Sequence, residues 1–231
     1  MKDPDAYVAL ISSLPGPAPL FLAKRPPLSR LKLDDRLRVL TPEDAQTLAL
    51  VEDALNWRQL SIGASEQDVI ARGRDAMSQI ENETLTTIVR DRLEIRTAVA
   101  ALRRRSRGEG PPPPEVSWGF GRWVHHISRN WSEASFRLDG VFPWLREADS
   151  LMKRDDTIAL ERLILDRSYK RLQRLAGDHV FDFEAVVIYV LKWSIIDRWA
   201  RYNVEAAARR FEDLIEAGLG AHAKLPFEAG T

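Results

Sequence analysis

Apolar residues recur at helical spacing along most of the chain, and an alternation of period two is nearly absent. Thr41-Pro42-Glu43-Asp44 sets a capping hydroxyl before a proline at the first helical position, with acids in the first turn. Leu48, Val51 and Leu55 follow at helical spacing up to Trp57. A second start, Ser65-Glu66-Gln67-Asp68, precedes Val69, Ile70 and Met77. A third segment carries Leu85, Ile88, Val89, Ile95, Val99 and Leu102, and it ends on Arg103-Arg104-Arg105, where cations suit the helix dipole. A helix is predicted from about Thr157 to Ala176, through Ile158, Leu163, Leu165, Tyr169 and Leu172 and closed by Gly177. Asp182 then caps a long apolar helix through Val186, Val187, Val190, Leu191, Ile195, Ile196 and Trp199. Asn203 is expected to interrupt it before a last stretch, Ala206–Glu216, that ends at Gly218.

The two ends and the middle read differently. Tyr7 to Pro15 is apolar and β-branched and runs into Pro15, Pro17, Pro19, Pro26 and Pro27, which predicts a short strand or an extended arm. Gly108-Glu109-Gly110 and four consecutive prolines, Pro111 to Pro114, break the chain with a stiff spacer. The expected fold is all-α: a multi-helix bundle of two lobes with an extended or short-strand N-terminal arm. The expected divisions are 1–107 (arm plus helical lobe), 108–116 (linker), 117–220 (C-terminal helical lobe) and 221–231 (tail).

Charge narrows the class of partner. Lys+Arg and Asp+Glu are equal at 34 each, which argues against nucleic acid, because phosphate neutralisation ordinarily demands a basic excess. There is no cysteine, so disulfides, thiolate metal sites and cysteine nucleophiles are excluded together. The start, Met1-Lys2-Asp3-Pro4-Asp5, lacks the layout of a signal peptide, and the most apolar run, Val186 to Leu191, falls far short of the roughly 20 residues that span a bilayer. A cytoplasmic location is expected.

No motif of catalysis emerges. A glycine-rich phosphate loop ending in Lys-Ser/Thr is missing, as is a Gly-x-Ser-x-Gly elbow. Gly119-Phe120-Gly121 begins like a dinucleotide fingerprint but lacks the third glycine and a preceding strand. His125-His126 would point about 100° apart on a helix, a poor arrangement for one ion, and His179 and His222 lie far along the chain. The expectation is therefore no catalytic residue, no metal ligand and no cofactor.

Candidates for an interaction surface remain. Arg103, Arg104 and Arg105 fit a solvated helix end, with a phosphate or acidic partner as the other reading. Trp118, Trp123 and Trp131, with Trp144, are either core or an exposed protein-binding face. Lys192, Asp197 and Arg198 interrupt the most apolar helix, which implies a polar stripe or internal pairing. A hydrolytic or small-molecule site built from scattered carboxylates, His125 and arginines is the alternative.

The segment Phe181-Asp182-Phe183 through Tyr189, Lys192, Arg198 and Trp199, followed by Glu205 and Phe211 to Ile215, resembles an uncharacterised family encoded in bacterial V-type ATPase operons. The Tyr7 to Pro15 opening is similar to that family's Tyr…Ser-Leu-Pro start. Arg96-Thr97-Ala98 through Ala101-Leu102-Arg103 is similar to its Arg-Asn-x-x-x-Ala-Leu-Arg segment, with Thr97 in place of asparagine. Pro111 to Asp139 lies outside the resemblance. What the resemblance implies is a role like that of the all-α connector that seats the central stalk of V-type ATPases on the membrane ring. The chain would then be a non-catalytic helical connector or assembly subunit of a proton- or sodium-translocating ATPase. It would link stalk to membrane ring, with the other ATPase subunits as partners and an inner-membrane association through protein contacts alone.

Overall fold

A computed structural model describes residues 4–16, 19–55, 66–113 and 115–222, with backbone alone at 4, 66, 67, 69, 203–214 and 216–222. Trp57, Ser65 and most of the expected tail lie outside the described residues. The described chain is all-α and contains no strand. Its helices are α1 (Pro4–Ser13), α2 (Arg30–Leu37), α3 (Pro42–Leu55), α4 (Glu66–Gln79), α5 (Glu83–Ser106), α6 (Val124–Arg129), α7 (Leu145–Lys153), α8 (Thr157–Leu175) and α9 (Phe183–His222).

Side-chain caps set most of these starts. Thr41 accepts the amide of Asp44 at 3.1 Å ahead of Pro42, and Asn82, Asp156 and Asp182 accept from Leu85, Ala159 and Ala185 at 3.0, 3.0 and 2.8 Å. The end of α5 is equally specific. Gly108 adopts φ +80°, its amide reaches the Arg105 carbonyl, and the Glu109 amide reaches that of Arg104, closing the helix with two reverse bonds.

The N-terminal arm is a helix, not a strand or an extended segment. Pro4 sits at its first position, where a missing N–H costs nothing, and Pro15 lies beyond its end. Tyr7 and Leu10 form its buried side, continued by Leu14 just beyond its end, and the Tyr7 hydroxyl donates to the buried carboxylate of Asp44 on α3. The interruption expected at Asn203 is also absent: α9 runs unbroken for 40 residues, about 60 Å at 1.5 Å per residue, past Gly218.

Two buried apolar clusters organise the molecule, and they cut across the boundary expected at 108–116. The first joins α1, α2, α3, the front of α5 (Leu85, Ile88, Val89, Leu93) and the back of α8 to α9. The second joins the back of α5 (Ile95, Ala98, Val99, Leu102) to α7, the front of α8 and the tryptophan-rich segment. Because α5 and α8 each run through both clusters, residues from the two halves of the sequence share each core. The proline segment packs too: Pro112 is buried, and the Glu109 carbonyl accepts the Trp131 indole N–H at 3.0 Å. Among the described residues, no helix is long and apolar enough to cross a membrane.

Candidate functional site

Where α3, α5, α8 and α9 converge, they enclose a cavity of about 530 Å³. Its floor is apolar, formed by Ile88 and Ile95 of α5, Leu172 of α8, and Leu191 and Ile195 of α9. Its polar lining is dominated by arginine: Arg30, Arg92, Arg171, Arg198 and Arg201. Three lining carboxylates, Glu52, Asp91 and Asp197, face them, and Glu161, just outside the lining, pairs with Arg198.

Ion pairs hold four of these guanidiniums in place. Arg30 of α2 makes two bonds to Glu52 of α3, one of 2.9 Å, and lies 5.9 Å from the centroid of the Trp193 ring. The Trp193 indole in turn donates to the Leu28 carbonyl at 2.8 Å, which ties the segment before α2 to α9. Arg171 bonds Asp91 at 2.6 Å across α8 and α5, and Arg201 bonds Asp197 one turn back on α9 at 2.8 Å. Arg198 reaches Glu161 of α8 at 2.5 Å.

Glu161 lies outside this cavity and lines a second one of about 330 Å³, together with Arg103, Asp155, Asp156 and Tyr202. The Arg198–Glu161 pair therefore stands between the two cavities. Three guanidiniums draw on that one carboxylate: Arg198 by direct bond, and Arg92 and Arg103 electrostatically. Burial, with the neighbouring positive charge of Arg198 next, pushes the Arg92 guanidinium down to about 10, still protonated at neutral pH. Arg103, though much of its side chain is exposed, is lowered by partial desolvation of its guanidinium, with Glu161 opposing and the Arg198 charge adding to the shift.

The other sequence candidates are used by the fold. Arg105 is the clearest case. Its guanidinium donates to the carbonyls of Trp131 (2.8 Å), Glu133 and Ala134 (2.9 Å) and to the Asp149 carboxylate (2.8 Å), and it lies 4.4 Å over the Phe136 ring. It thus holds a loop in which Phe136 and Arg137 take consecutive left-handed conformations, φ +52° and +56°. Arg104 pairs with Glu109 at 3.0 Å, while Arg103 is exposed beside the second cavity. Trp118 is buried and meets Trp131 edge-on at 6.2 Å, so this part of the tryptophan cluster is core and not an open face. Trp123 is half-buried and donates to Glu94 at 3.1 Å. Lys192 lies 4.9 Å from the Tyr169 ring, and burial lowers its ammonium below the ordinary lysine value.

Gly119-Phe120-Gly121 has a structural purpose as well. The segment crosses α5 so closely that the Phe120 amide bonds the Thr97 hydroxyl at 2.8 Å and the Arg122 amide reaches Glu94 at 3.3 Å. Gly121 takes φ +92°, and a Cβ there would lie 2.5 Å from the Glu94 side chain. The glycine is required for this approach and not for a dinucleotide.

His125 and His126 lie on the short α6, and among the described residues no histidine lines either cavity. Among the described residues, His179, Asp182 and Glu184 bring one ligand atom each within 4.8 Å of one another. Their bonds already serve the fold. Asp182 caps α9 and meets His179 Nδ1 at 2.7 Å, Glu184 accepts from Asn82 at 2.6 Å, and Thr84 approaches His179 Nε2 at 3.4 Å. The group fastens the turn before α9 to the start of α5.

Against this geometry the comparisons with known proteins add no relative. No family model, no curated protein and no solved structure matches the chain. Of the cavity arginines, Arg198 is marked in the sequence by its place in an apolar helix. Arg92, between Val89 and Leu93, carries the same signal, although the sequence pattern alone does not single it out among the many arginines of α5.

Proposed function

We propose that this chain is a non-catalytic helical connector or assembly subunit of a bacterial V-type ATPase, acting between the central stalk and the membrane ring. The observation that carries the reading is α9. The residues of the family resemblance, Phe181 to Ile215, fall almost wholly on it, and one continuous rod of 40 residues both closes a core and runs on from it. Its described side chains are largely buried up to Ala200, whereas Ile215, near the far end, is exposed. A helix anchored at one end by packing presents its other end as a rigid element for a neighbour.

The test is a photo-crosslinker at Ile215 in a tagged chain expressed in its native cell, with covalent products read by mass spectrometry. A crosslink to a stalk, ring or catalytic component of the ATPase is expected. Absence of the chain from both the intact complex and its assembly intermediates refutes the proposal.

The arginine-lined cavity favours the small-molecule-binding part of the alternative, since it is concave, partly apolar and carries convergent polar groups. A connector with a ligand site accommodates both readings. The hydrolytic part of the alternative gains no support from the histidines, which lie away from the cavity lining.

A further inference from the structure

The charges around the cavity answer one another. Arg30 pairs with Glu52, Arg171 with Asp91, Arg201 with Asp197 and Arg198 with Glu161, and Arg92 lies in the field of the same Glu161 carboxylate. An anionic ligand would have to draw a guanidinium from its carboxylate, and a cationic one would have to draw a carboxylate from its guanidinium. Either leaves a charge without its partner in a partly desolvated wall. What the cavity offers without such a loss is apolar surface. Ile88, Ile95, Leu172, Leu191 and Ile195 line it and are themselves buried, so the space of about 530 Å³ reaches between α5, α8 and α9. That volume is within the range of small-molecule sites. One polar contact is also open. The Arg171 guanidinium is a fork of several N–H donors and bonds Asp91 through Nε, so an uncharged oxygen can accept from its terminal nitrogens while the pair stays closed.

We infer that the cavity binds a small uncharged aliphatic molecule carrying a hydroxyl or carbonyl oxygen, its chain against the isoleucine and leucine side chains and its oxygen at Arg171. Burial of the chain supplies the affinity, and the closed ion pairs supply the selection, because they reward neither sign of charge. This inference rests on the small-molecule reading above. It is independent of whether the chain joins an ATPase, so it and the connector reading stand or fall separately.

Isothermal titration of the full chain with hexanol, heptanol, octanol, octanoate and octylammonium is the direct test. Octanol is expected to bind at least about tenfold more tightly than octanoate or octylammonium, since each charged head must open an ion pair. Each methylene from hexanol to octanol is expected to tighten binding about fourfold, the fold-change that corresponds to about 0.8 kcal/mol per buried methylene. Two variants fill the lining from different helices: Ser194→Leu on α9, at a half-buried position, and Ala49→Phe on α3, at an exposed one. Both are expected to melt with the wild type and to weaken octanol at least about tenfold. Octanoate or octylammonium binding as tightly as octanol overturns the inference and leaves the small-molecule reading in place. No binding of any of the five at millimolar concentration overturns both. An affinity that does not change with chain length, or that both filled variants retain, overturns the inference as well.

Discussion

Replacing Arg105 with lysine keeps the charge and removes the fork, and so separates a structural arginine from a surface cation. In the native geometry two guanidinium nitrogens serve three carbonyls and one carboxylate, with the arginine and Asp149 side chains only 16% and 10% exposed. A lysine ammonium can keep the ion pair or reach one carbonyl, but its single nitrogen cannot span Trp131, Ala134 and Asp149 together. At least two charge-assisted bonds are lost, each worth about 1.5–3 kcal/mol. Some of the loss is returned, because Phe136 and Arg137 can then relax from left-handed conformations that cost about 1–2 kcal/mol per residue. The net expectation is a destabilisation of about 1.5 kcal/mol. For a chain of this size that is a fall in Tm of about 3–6 °C, measured by circular dichroism or calorimetry. Arg103→Lys is the control: Arg103 is exposed, and the change should lie within about 0.5 kcal/mol of wild type. If Arg105→Lys melts with the wild type, or if Arg103→Lys falls as far, the guanidinium is not what holds the loop.

Gly121→Ala should destabilise by about 2–4 kcal/mol in urea unfolding, because a Cβ at φ +92° meets the Glu94 side chain and displaces its bonds to Arg122 and Trp123. Gly110→Ala, with nothing within 4 Å, should be near neutral, and equal midpoints for the two variants would contradict the close-approach argument. The Asp149 carboxyl gives a pH signature: burial alone would raise it, but bonds from Lys153 and Arg105 outweigh burial and hold it below the ordinary value. A depressed carboxylate stabilises the fold above its unfolded pKa of about 3.9 and loses that contribution as pH falls through the folded value. Asp149→Asn should therefore melt well below wild type at pH 7, with the gap narrowing as pH falls below about 4; a gap that is constant from pH 7 to 3 refutes the assignment.

The helical class is legible because the apolar positions of α3, α5, α8 and α9 recur at helical spacing and their caps can be read directly, Thr41 and Asp182 among them. Where sequence and structure part, local signals are overruled by packing. Pro15 suggests an arm, yet ten residues fit between Pro4 and Pro15, and burying Tyr7, Leu10 and Leu14 against α9 and its neighbours favours a helix. Asn203 costs a helix only about 0.7 kcal/mol relative to alanine, and Gly218 about 1, too little to end a rod of ten or more turns. The four prolines look like a domain boundary because a rigid spacer and a packed loop share one composition. The burial of Pro112, the Trp131–Glu109 bond and the run of α5 and α8 through both cores distinguish the two.

The cavity is illegible for a different reason. Its arginines come from positions 30, 92, 171, 198 and 201, and in the sequence each resembles one more cation among acids on a solvated helix. What marks Arg92 and Arg198 is the aliphatic residues beside each at helical spacing, Ile88, Val89 and Ile95 for Arg92 and Leu191 and Ile195 for Arg198, where an arginine needs polar company. That company is shared: Arg198 lines one cavity, its partner Glu161 lines the other, and Arg92 and Arg103 also feel the Glu161 charge. A charge arrangement of that kind could be replaced by well-packed aliphatic side chains with little loss of stability. What the pair fixes is how α8 and α9 meet, more than how stable the fold is.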